Sequence, residues 1–388
     1  MRNHLRKGDI MADFRFIHAS DLHLGRRFAA MPEEIRPHLA EARHGAIPRL
    51  AGAARTAGAA HVLIAGDLFD TPTPSPRVLV QALHAFGAEE DLIWWVLPGN
   101  HDSLGAEALW SEVSARAPAN LRLLDTAEPI EMAPGAWLLP APLPRKFPGY
   151  DLTAWMPDAE TPEGALRIGL AHGAVRSFDE DDARASEVIP PDRAESARLD
   201  YLALGDWHGQ IALGPRTSYS GTPERDGFRH EGRGACLSIT LTGPGEPPRI
   251  DSIETGLYHW QDAALPLLPV QDAAQALQDA LPEGRAARRD HLLRLRAEGR
   301  TTLAGRAALE EAAREVAPDF GYFELDTTAL GTEHELSDLD AIDRAGALRI
   351  AAERLAAAAD DTDTAARERA VASAALNRLY GLLQEGEA

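Results

Sequence analysis

The sequence predicts an α/β fold, and three observations support this class. Short apolar runs over 14–18, 61–65 and 92–97 have the length and composition of buried strands. A polar loop follows each run, and amphipathic helical patterns over 33–57 and 77–87 separate the runs. The alternation of strand, loop and helix is typical of a parallel sheet covered by helices. The length of 388 residues is sufficient for two or three domains.

Composition excludes several classes of protein. Apolar residues make up 45% of the chain and charged residues 26%, which is typical of globular domains. The net charge of −21 argues against a generally basic nucleic-acid binder but leaves room for a local basic groove. A single cysteine, Cys236, excludes an internal disulfide, and no apolar run reaches the length of a membrane span. We expect a disordered leader over 1–13 and a cytoplasmic protein with no membrane segment.

The remaining elements follow in order. The helical pattern over 33–57 is interrupted near Pro48. Further strands are predicted at 121–124, 136–140, 166–171, 201–205 and 235–241. After Leu257 the pattern changes to helix 271–280, strand 290–297, helix 302–316 and strand 321–326, and two helices then follow from Ser337. We therefore divide the chain into the leader, a domain over 14–257, a small α+β domain over 258–330 and a helical segment over 331–388.

Ionisable and polar side chains follow the predicted strands at the point where each strand ends. They are Asp21, His23, Asp67, Asn100, His101, Asp102, His172, Asp206 and His208. Loops at the carboxyl ends of strands gather at one edge of an α/β sheet. A mixture of carboxylate, imidazole and carboxamide ligands suits Mn²⁺, Fe²⁺ or Zn²⁺. Each motif alone also fits a surface pair or a plain turn, but the ordered set predicts a site for two divalent ions.

The spacing suggests a role for each ligand. Asp21 and His23 lie two residues apart on a segment that we expect to be extended, so that both point to one ion. Asp67 can bridge two ions, which together bind a phosphate and activate a hydroxide. We expect His101 to protonate or stabilise the leaving oxygen and Asp102 to orient His101.

These motifs resemble those of a known family. The segments 17–25, 66–70 and 98–102 resemble the calcineurin-like metallophosphoesterases. Together with the segment 219–225, they are similar to the SbcD-type DNA repair nucleases, in which the metal-bearing subunit works with an SMC-like ATPase. The resemblance implies a four-layer sandwich of two mixed sheets flanked by helices. It also implies a small α+β capping domain, C-terminal helices and hydrolysis of DNA phosphodiester bonds.

The resemblance also implies two ligand sets. The first set is Asp21, His23, Asp67 and His208, and the second is Asp67, Asn100, His172 and the residue at 206. The family pattern Gly-His-x-His is replaced here by Gly205-Asp206-Trp207-His208. If Asp206 is a ligand, a third carboxylate lowers the formal charge of the loaded centre by one unit and favours Mn²⁺ or Mg²⁺. The alternative is that Asp206 does not bind metal and the second site is weak or empty.

Three functions remain open at this stage. The first is a DNA repair exonuclease or endonuclease subunit with two Mn²⁺ ions (Fe²⁺, Mg²⁺ or Zn²⁺ as alternatives), an SMC-like ATPase partner and a homodimeric state. The second is a phosphodiesterase or phosphatase that acts on a small nucleotide or phosphorylated metabolite. The third is a scaffold subunit with a weakened site. Arg26 and Arg225 are candidate substrate-binding residues, and six arginines between 285 and 300 form either a DNA-binding stripe or a solvated face.

Overall fold

The computed structural model describes residues 13–175, 188–333, 346–363 and 365–387. The predicted leader therefore lies outside the described residues, apart from Asp13. The chain divides into two compact units after His259. None of the described helices is both long enough and apolar enough to cross a lipid bilayer.

The first unit contains two mixed sheets and flanking helices. Its described strands are β1 (Phe14–Ala19), β2 (His61–Ala65), β3 (Ile93–Leu97), β4 (Leu121–Leu123), β5 (Ile130–Ala133), β6 (Ala136–Ala141), β7 (Leu166–His172), β8 (Tyr201–Gly205), β9 (Ile211–Gly214), β10 (Thr217–Tyr219), β11 (Ala235–Leu241) and β12 (Arg249–Glu254). Its described α-helices are α1 (Arg36–His44), α2 (Ala46–Ala57), α3 (Pro76–Gly87), α4 (Glu107–Arg116) and α5 (Arg193–Ser196).

Parallel strands occupy the centre of both sheets. Among the described residues, the first sheet has the order β12-β11-β1-β2-β3-β4 and the second has the order β5-β6-β7-β8-β10-β9. Strands β1 to β4 are parallel to one another, as are β6, β7 and β8. The predicted ligands follow β1, β2, β3 and β8 or lie at the end of β7. The topology therefore brings them to the carboxyl edges of the two sheets.

The side chains of the central strands point alternately to the two faces of the sheet and so form two separate hydrophobic layers. In β2, Leu63 and Ala65 belong to the core between the two sheets, whereas Val62 and Ile64 belong to the core beneath the helices. Successive side chains of a strand point to opposite faces, so each strand supplies both cores. A third core covers the other face of the second sheet. The mixed α/β class and the two sheets flanked by helices are confirmed.

The helical pattern over 33–57 is broken at a different residue from the one predicted. We expected the interruption near Pro48, but the break lies at Gly45, between α1 and α2. Pro48 is the third residue of α2. Amides in the first turn of a helix have no intrahelical acceptor, so proline is tolerated there.

The second unit contains a smaller sheet. Its described elements are β13 (His259–Leu267), α6 (Ala273–Ala280), α7 (Arg285–Arg288), β14 (His291–Thr302), α8 (Leu303–Val316), β15 (Tyr322–Asp326), β16 (Leu330–Glu333), α9 (Ala347–Asp360) and α10 (Ala366–Glu387). Strand β14 lies between β13 and β15 and also pairs with β16. Helices α9 and α10 pack on each other and on α8 through Leu303, Ala352, Leu376 and Tyr380.

Candidate metal centre

The loop after β1 adopts an uncommon backbone conformation at both of its predicted ligands. Asp21 has φ 57° and His23 has φ 43°, so this segment is left-handed and not extended as we expected from the spacing. The amide of Asp21 donates to the Gly66 carbonyl, and the amide of His23 donates to the Asp67 carbonyl, each at 3.0 Å. These bonds join the loop after β1 to the loop after β2. Strained conformations of this kind persist where the surrounding structure enforces them, and they are concentrated at functional sites.

Three side chains form the first half of the centre. Ligand atoms of Asp21, His23 and His208 lie within 4.8 Å of one another. The Nε2 atoms of His23 and His208 are 3.2 Å apart, and His208 Nε2 is 3.9 Å from Asp21 Oδ1. Asp21 and His23 are almost completely buried. Three of the four ligands predicted for the first site are therefore brought together around one point.

Asp67 connects this half to the second half. Its Oδ2 atom lies 3.6 Å from His23 Nε2 and 3.6 Å from His172 Nε2. His172 Nε2 is also 3.7 Å from Asp206 Oδ1. We expected Asp67 to bridge two ions with its two oxygens, but one oxygen, Oδ2, is near both imidazoles, and Oδ1 accepts from the His101 amide.

Two of the three imidazoles are held from behind by a close acceptor at Nδ1, and His23 has a carboxylate near Nδ1 without a hydrogen bond to it. His172 Nδ1 is 2.9 Å from the Ala65 carbonyl, and His208 Nδ1 is 2.9 Å from Asp226 Oδ2. His23 Nδ1 is 3.4 Å from Asp70 Oδ1. An acceptor at Nδ1 places the proton there and leaves the Nε2 lone pair for a metal ion.

Two buried polar atoms test whether divalent ions fit this donor set. Among the described residues, His172 Nε2 and Asn100 Oδ1 have no hydrogen-bond partner. Burial alone lowers the pKa of His172, but the carboxylates of Asp67, Asp21 and Asp206 and the bond to Ala65 raise it to about 9. Unpaired buried polar atoms are costly, and so is a group of carboxylates with no cation. Divalent cations resolve both problems, so the residues fit a metal centre.

Asp206 lies in the centre and contacts both halves. Its Oδ1 atom accepts a hydrogen bond of 2.9 Å from Asn100 Nδ2, and its amide is 3.2 Å from Asp21 Oδ2. Its backbone φ angle of 105° lies outside the regions that residues other than glycine normally adopt. Burial raises the pKa of Asp206, and the neighbouring carboxylates of Asp21 and Asp67 raise it further against the effect of His172. An oxygen ligand is thus available at the position where the family pattern has histidine.

His101 and Asp102 occupy different environments. His101 Nδ1 is 2.8 Å from the backbone carbonyl of Asp70, and its amide donates to Asp67 Oδ1. We expected Asp102 to orient His101, but the Asp102 carboxylate accepts from the amides of Gly99 and Phe69 at 2.7 and 2.9 Å. The Asp70 carbonyl therefore orients the imidazole. Asp102 instead fixes the loop between the strands, and burial with the charge of Asp67 raises its pKa to about 7.

The two arginines predicted to bind substrate lie at the edge of the centre. Arg26 is partly exposed, and its Nη1 atom lies 3.2 Å from Asp226 and 3.7 Å from Asp70. Arg225 donates to the carbonyl of His208 at 2.6 Å, so it supports the backbone of a ligand. Both guanidinium groups thus have protein partners close to the predicted metal ligands.

Sequence reasoning missed two supporting residues. Asp226, which holds His208, directly follows the 219–225 segment that was singled out, and that proximity was the available signal. Arg43 is fully buried on α1 and donates to the carbonyls of Asp21, Leu22 and Glu224. An arginine in an amphipathic helix has the pattern of a solvated residue, so nothing in the local sequence indicated this role.

Close backbone contacts keep the two sheets together at the centre. A Cβ atom at Gly99 would lie 2.1 Å from Asp67 Oδ1, and one at Gly205 would lie 1.9 Å from the Ala65 carbonyl oxygen. A Cβ atom at Gly66, where φ is 89°, would lie 2.2 Å from His172 Nδ1. These three positions require glycine because the backbone approaches the ligands directly.

Comparison with known proteins identifies the family of this chain. A curated relative, the uncharacterised metallophosphoesterase YhaO of Bacillus subtilis strain 168, is 26% identical over 248 residues. The match covers 60% of this chain but only 59% of the relative. The crystal structure of TT1561 of Thermus thermophilus is 10% identical with a TM-score of 0.38, and the match covers 63% of this chain and 100% of that chain. Residues 14–210, which include all the predicted metal ligands, match the model of the calcineurin-like phosphoesterases, and the chain belongs to that family.

Proposed function

We propose that this protein is a metal-dependent phosphodiesterase that cleaves DNA. The observation that carries the proposal is the position of Asp67 Oδ2, which is 3.6 Å from the Nε2 atom of His23 and 3.6 Å from that of His172. The first ion would be held by Asp21, His23, Asp67 and His208, and the second by Asp67, Asn100, His172 and Asp206. Bound ions would neutralise the phosphate and lower the pKa of a water molecule. The oxygen-rich donor set favours Mn²⁺.

The residues of the chain supply the remaining chemistry. The Asp70 carbonyl accepts from His101 Nδ1. In the doubly protonated imidazolium form, the second proton is on Nε2, and His101 would give that proton to the leaving oxygen. Asp102 holds the Gly99–Asn100 turn, so that Asn100 and His101 keep their positions. Arg26 at the rim would bind a non-bridging phosphate oxygen by exchanging one of its carboxylate partners.

The DNA substrate is supported by the resemblance to SbcD-type nucleases. The 219–225 segment contributes to the centre, because Arg225 holds the His208 carbonyl and Tyr219 donates to the Gly173 carbonyl next to His172. The second unit has the α+β sheet and terminal helices that the resemblance implies. We therefore also propose a separate SMC-like ATPase partner and a homodimer.

One observation favours a small nucleotide as substrate instead. Arginines of the predicted basic stretch are paired with carboxylates: Arg285 with Asp319, Arg294 with Glu324, Arg296 with Asp262 and Arg300 with Glu333. Paired guanidinium groups contribute little net positive potential, and the whole chain carries −21. A phosphodiesterase for small nucleotides is therefore the second candidate.

Metal-dependent cleavage assays separate these candidates. The full chain with Mn²⁺ is given linear duplex DNA, single-stranded DNA and bis-p-nitrophenyl phosphate, with the His101→Ala variant as control. Cleavage of DNA that falls steeply with salt supports the first candidate, because DNA binding releases counterions. Hydrolysis of the reporter without DNA cleavage supports the second. No hydrolysis of any substrate would overturn the proposal and favour a scaffold.

A further inference from the structure

A cavity of about 200 Å³ adjoins the second half of the metal centre. Asn100, His172 and Asp206 form the wall on the side of the centre. A group linked to a phosphate at the centre would therefore extend directly into this cavity. We call it the side pocket.

Two aromatic side chains also line the side pocket. Phe147 and Tyr150 line it with relative exposures of 48% and 55%, and Lys146 Nζ lies 5.6 Å from the centroid of the Phe147 ring. The segment that carries them is ordered by contacts of its own, because Arg145 Nη2 donates to the Pro148 carbonyl at 2.9 Å. Gly149, with φ 85°, makes the turn between the two rings. Exposed rings on a fixed turn beside a catalytic centre indicate a stacking surface.

The floor of the side pocket is apolar and held in place. Leu143 and Ile189 are buried there, and Gly173, next to His172, has no side chain to fill the space. The Tyr219 hydroxyl donates to the Gly173 carbonyl at 2.8 Å and accepts from the Val175 amide at 3.0 Å. The floor is therefore fixed by a buried residue of β10.

Size and chemistry together define the ligand. An apolar cavity of about 150 Å³ is sufficient for benzene, so about 200 Å³ is sufficient for one heterocyclic ring. The pocket offers ring faces, an apolar floor and one lysine next to a site for phosphate. We propose that the side pocket binds the base of the nucleotide whose phosphate is held at the metal centre. This inference rests on the proposed phosphodiesterase activity, and it adds a specificity-determining contact through Phe147 and Tyr150.

A comparison of two ligands that differ only in the base tests the proposal. Binding of thymidine 5′-monophosphate and of 2-deoxyribose 5-phosphate to the Mn²⁺-loaded full chain is measured by calorimetry. Base stacking on an aromatic side chain contributes about 1–3 kcal/mol, which predicts that the nucleotide binds about 5- to 150-fold more tightly. Phe147→Ala should remove most of this preference, whereas Phe147→Trp should retain it. Val80→Ala, at a similarly exposed apolar residue of α3, should have no effect.

The outcomes distinguish this inference from the proposed function. Equal affinity for the two ligands would overturn the assignment of the side pocket to a base, even if bis-p-nitrophenyl phosphate is hydrolysed. Tighter binding of the nucleotide without hydrolysis of any substrate would support the base-binding role of the pocket and overturn the proposed phosphodiesterase activity. The source of the base is found with oligonucleotides that carry or lack the terminal base. If removal of the terminal base weakens binding of the single-stranded oligonucleotide as much as it weakens binding of the mononucleotide, the pocket is assigned to DNA. If removal of the base weakens binding of the mononucleotide only, the pocket is assigned to free nucleotides.

Discussion

Asp226 is predicted to control the affinity of the first metal site without contacting the metal. Its Oδ2 atom is 2.9 Å from His208 Nδ1, and its side chain is only 12% exposed. Burial acts to raise the pKa of Asp226, but the bond from His208 and the charges of Arg43 and Arg26 hold it well below its usual range. The carboxylate therefore remains ionised and makes His208 a stronger ligand. Asp226→Asn keeps the shape of the side chain but removes this charge.

The magnitude follows from the contact geometry. Loss of a carboxylate behind a metal-binding histidine typically costs about 10- to 100-fold in metal affinity. The Asp226 contact is short and shielded from water, so we expect about 30- to 100-fold for Asp226→Asn, or about 2–2.7 kcal/mol. Asp70 is 3.4 Å from His23 Nδ1 and more exposed, so Asp70→Asn should cost about 10-fold.

The assay is calorimetric titration of the metal-free full chain with Mn²⁺, with the melting temperature recorded for each variant. Asp251→Asn serves as the control, because Asp251 pairs with Arg249 on the surface of the same unit and is 48% exposed. The control should change affinity less than about 2-fold. An Asp226→Asn variant that folds normally and binds Mn²⁺ within about 3-fold of the parent chain would refute the reasoning.

Four further predictions concern the same centre. Gly99→Ala should abolish binding at one or both sites, since the new methyl would overlap Asp67 Oδ1; an unchanged metal content would contradict this. The pKa of His172 is raised from 6.5 to about 9, so the metal-free fold is stabilised below about pH 6.5 and loses that contribution as the pH rises towards 9. Mn²⁺ must displace the proton of His172, so the affinity for Mn²⁺ should rise with pH up to about 9. An affinity that does not change with pH would contradict this prediction. Asp206→His should shift preference from Mn²⁺ towards Zn²⁺, and an unaltered preference and stoichiometry would show that residue 206 is not a ligand.

The strand ends were predictable because two signals coincide there. Apolar runs such as 61–65 end abruptly in Gly66-Asp67, and parallel strands deliver their carboxyl ends to one edge. Contacts between residues that are far apart along the chain leave no comparable pattern in the sequence. Arg43 reaches Asp21 from a helix, and Asp226 reaches His208 across a loop, so only the folded chain identifies them.

Short strands and local breaks were harder to predict. β5, β9 and β10 have three or four residues each and were not predicted, because so few residues rarely show an alternating pattern. Length alone does not decide this, since the three-residue β4 was predicted and the nine-residue β13 was not. The helix break was assigned to Pro48 because proline generally interrupts helices, but a proline in the first turn does not. Asp102 was assigned to His101 from adjacency, whereas adjacent residues in a turn point in different directions.

The contact between Gly205 and the Ala65 carbonyl has a consequence for which ions the centre accepts. With no room there for one methyl group, main-chain atoms of β8 and β2 set the separation of the sheets. An ion of smaller radius must therefore be accommodated by rotamer changes of the surrounding side chains, because the sheets cannot approach each other further at this contact. Selectivity among cations can then change through a single substitution, such as one at residue 206, while the hydrophobic interior stays as it is.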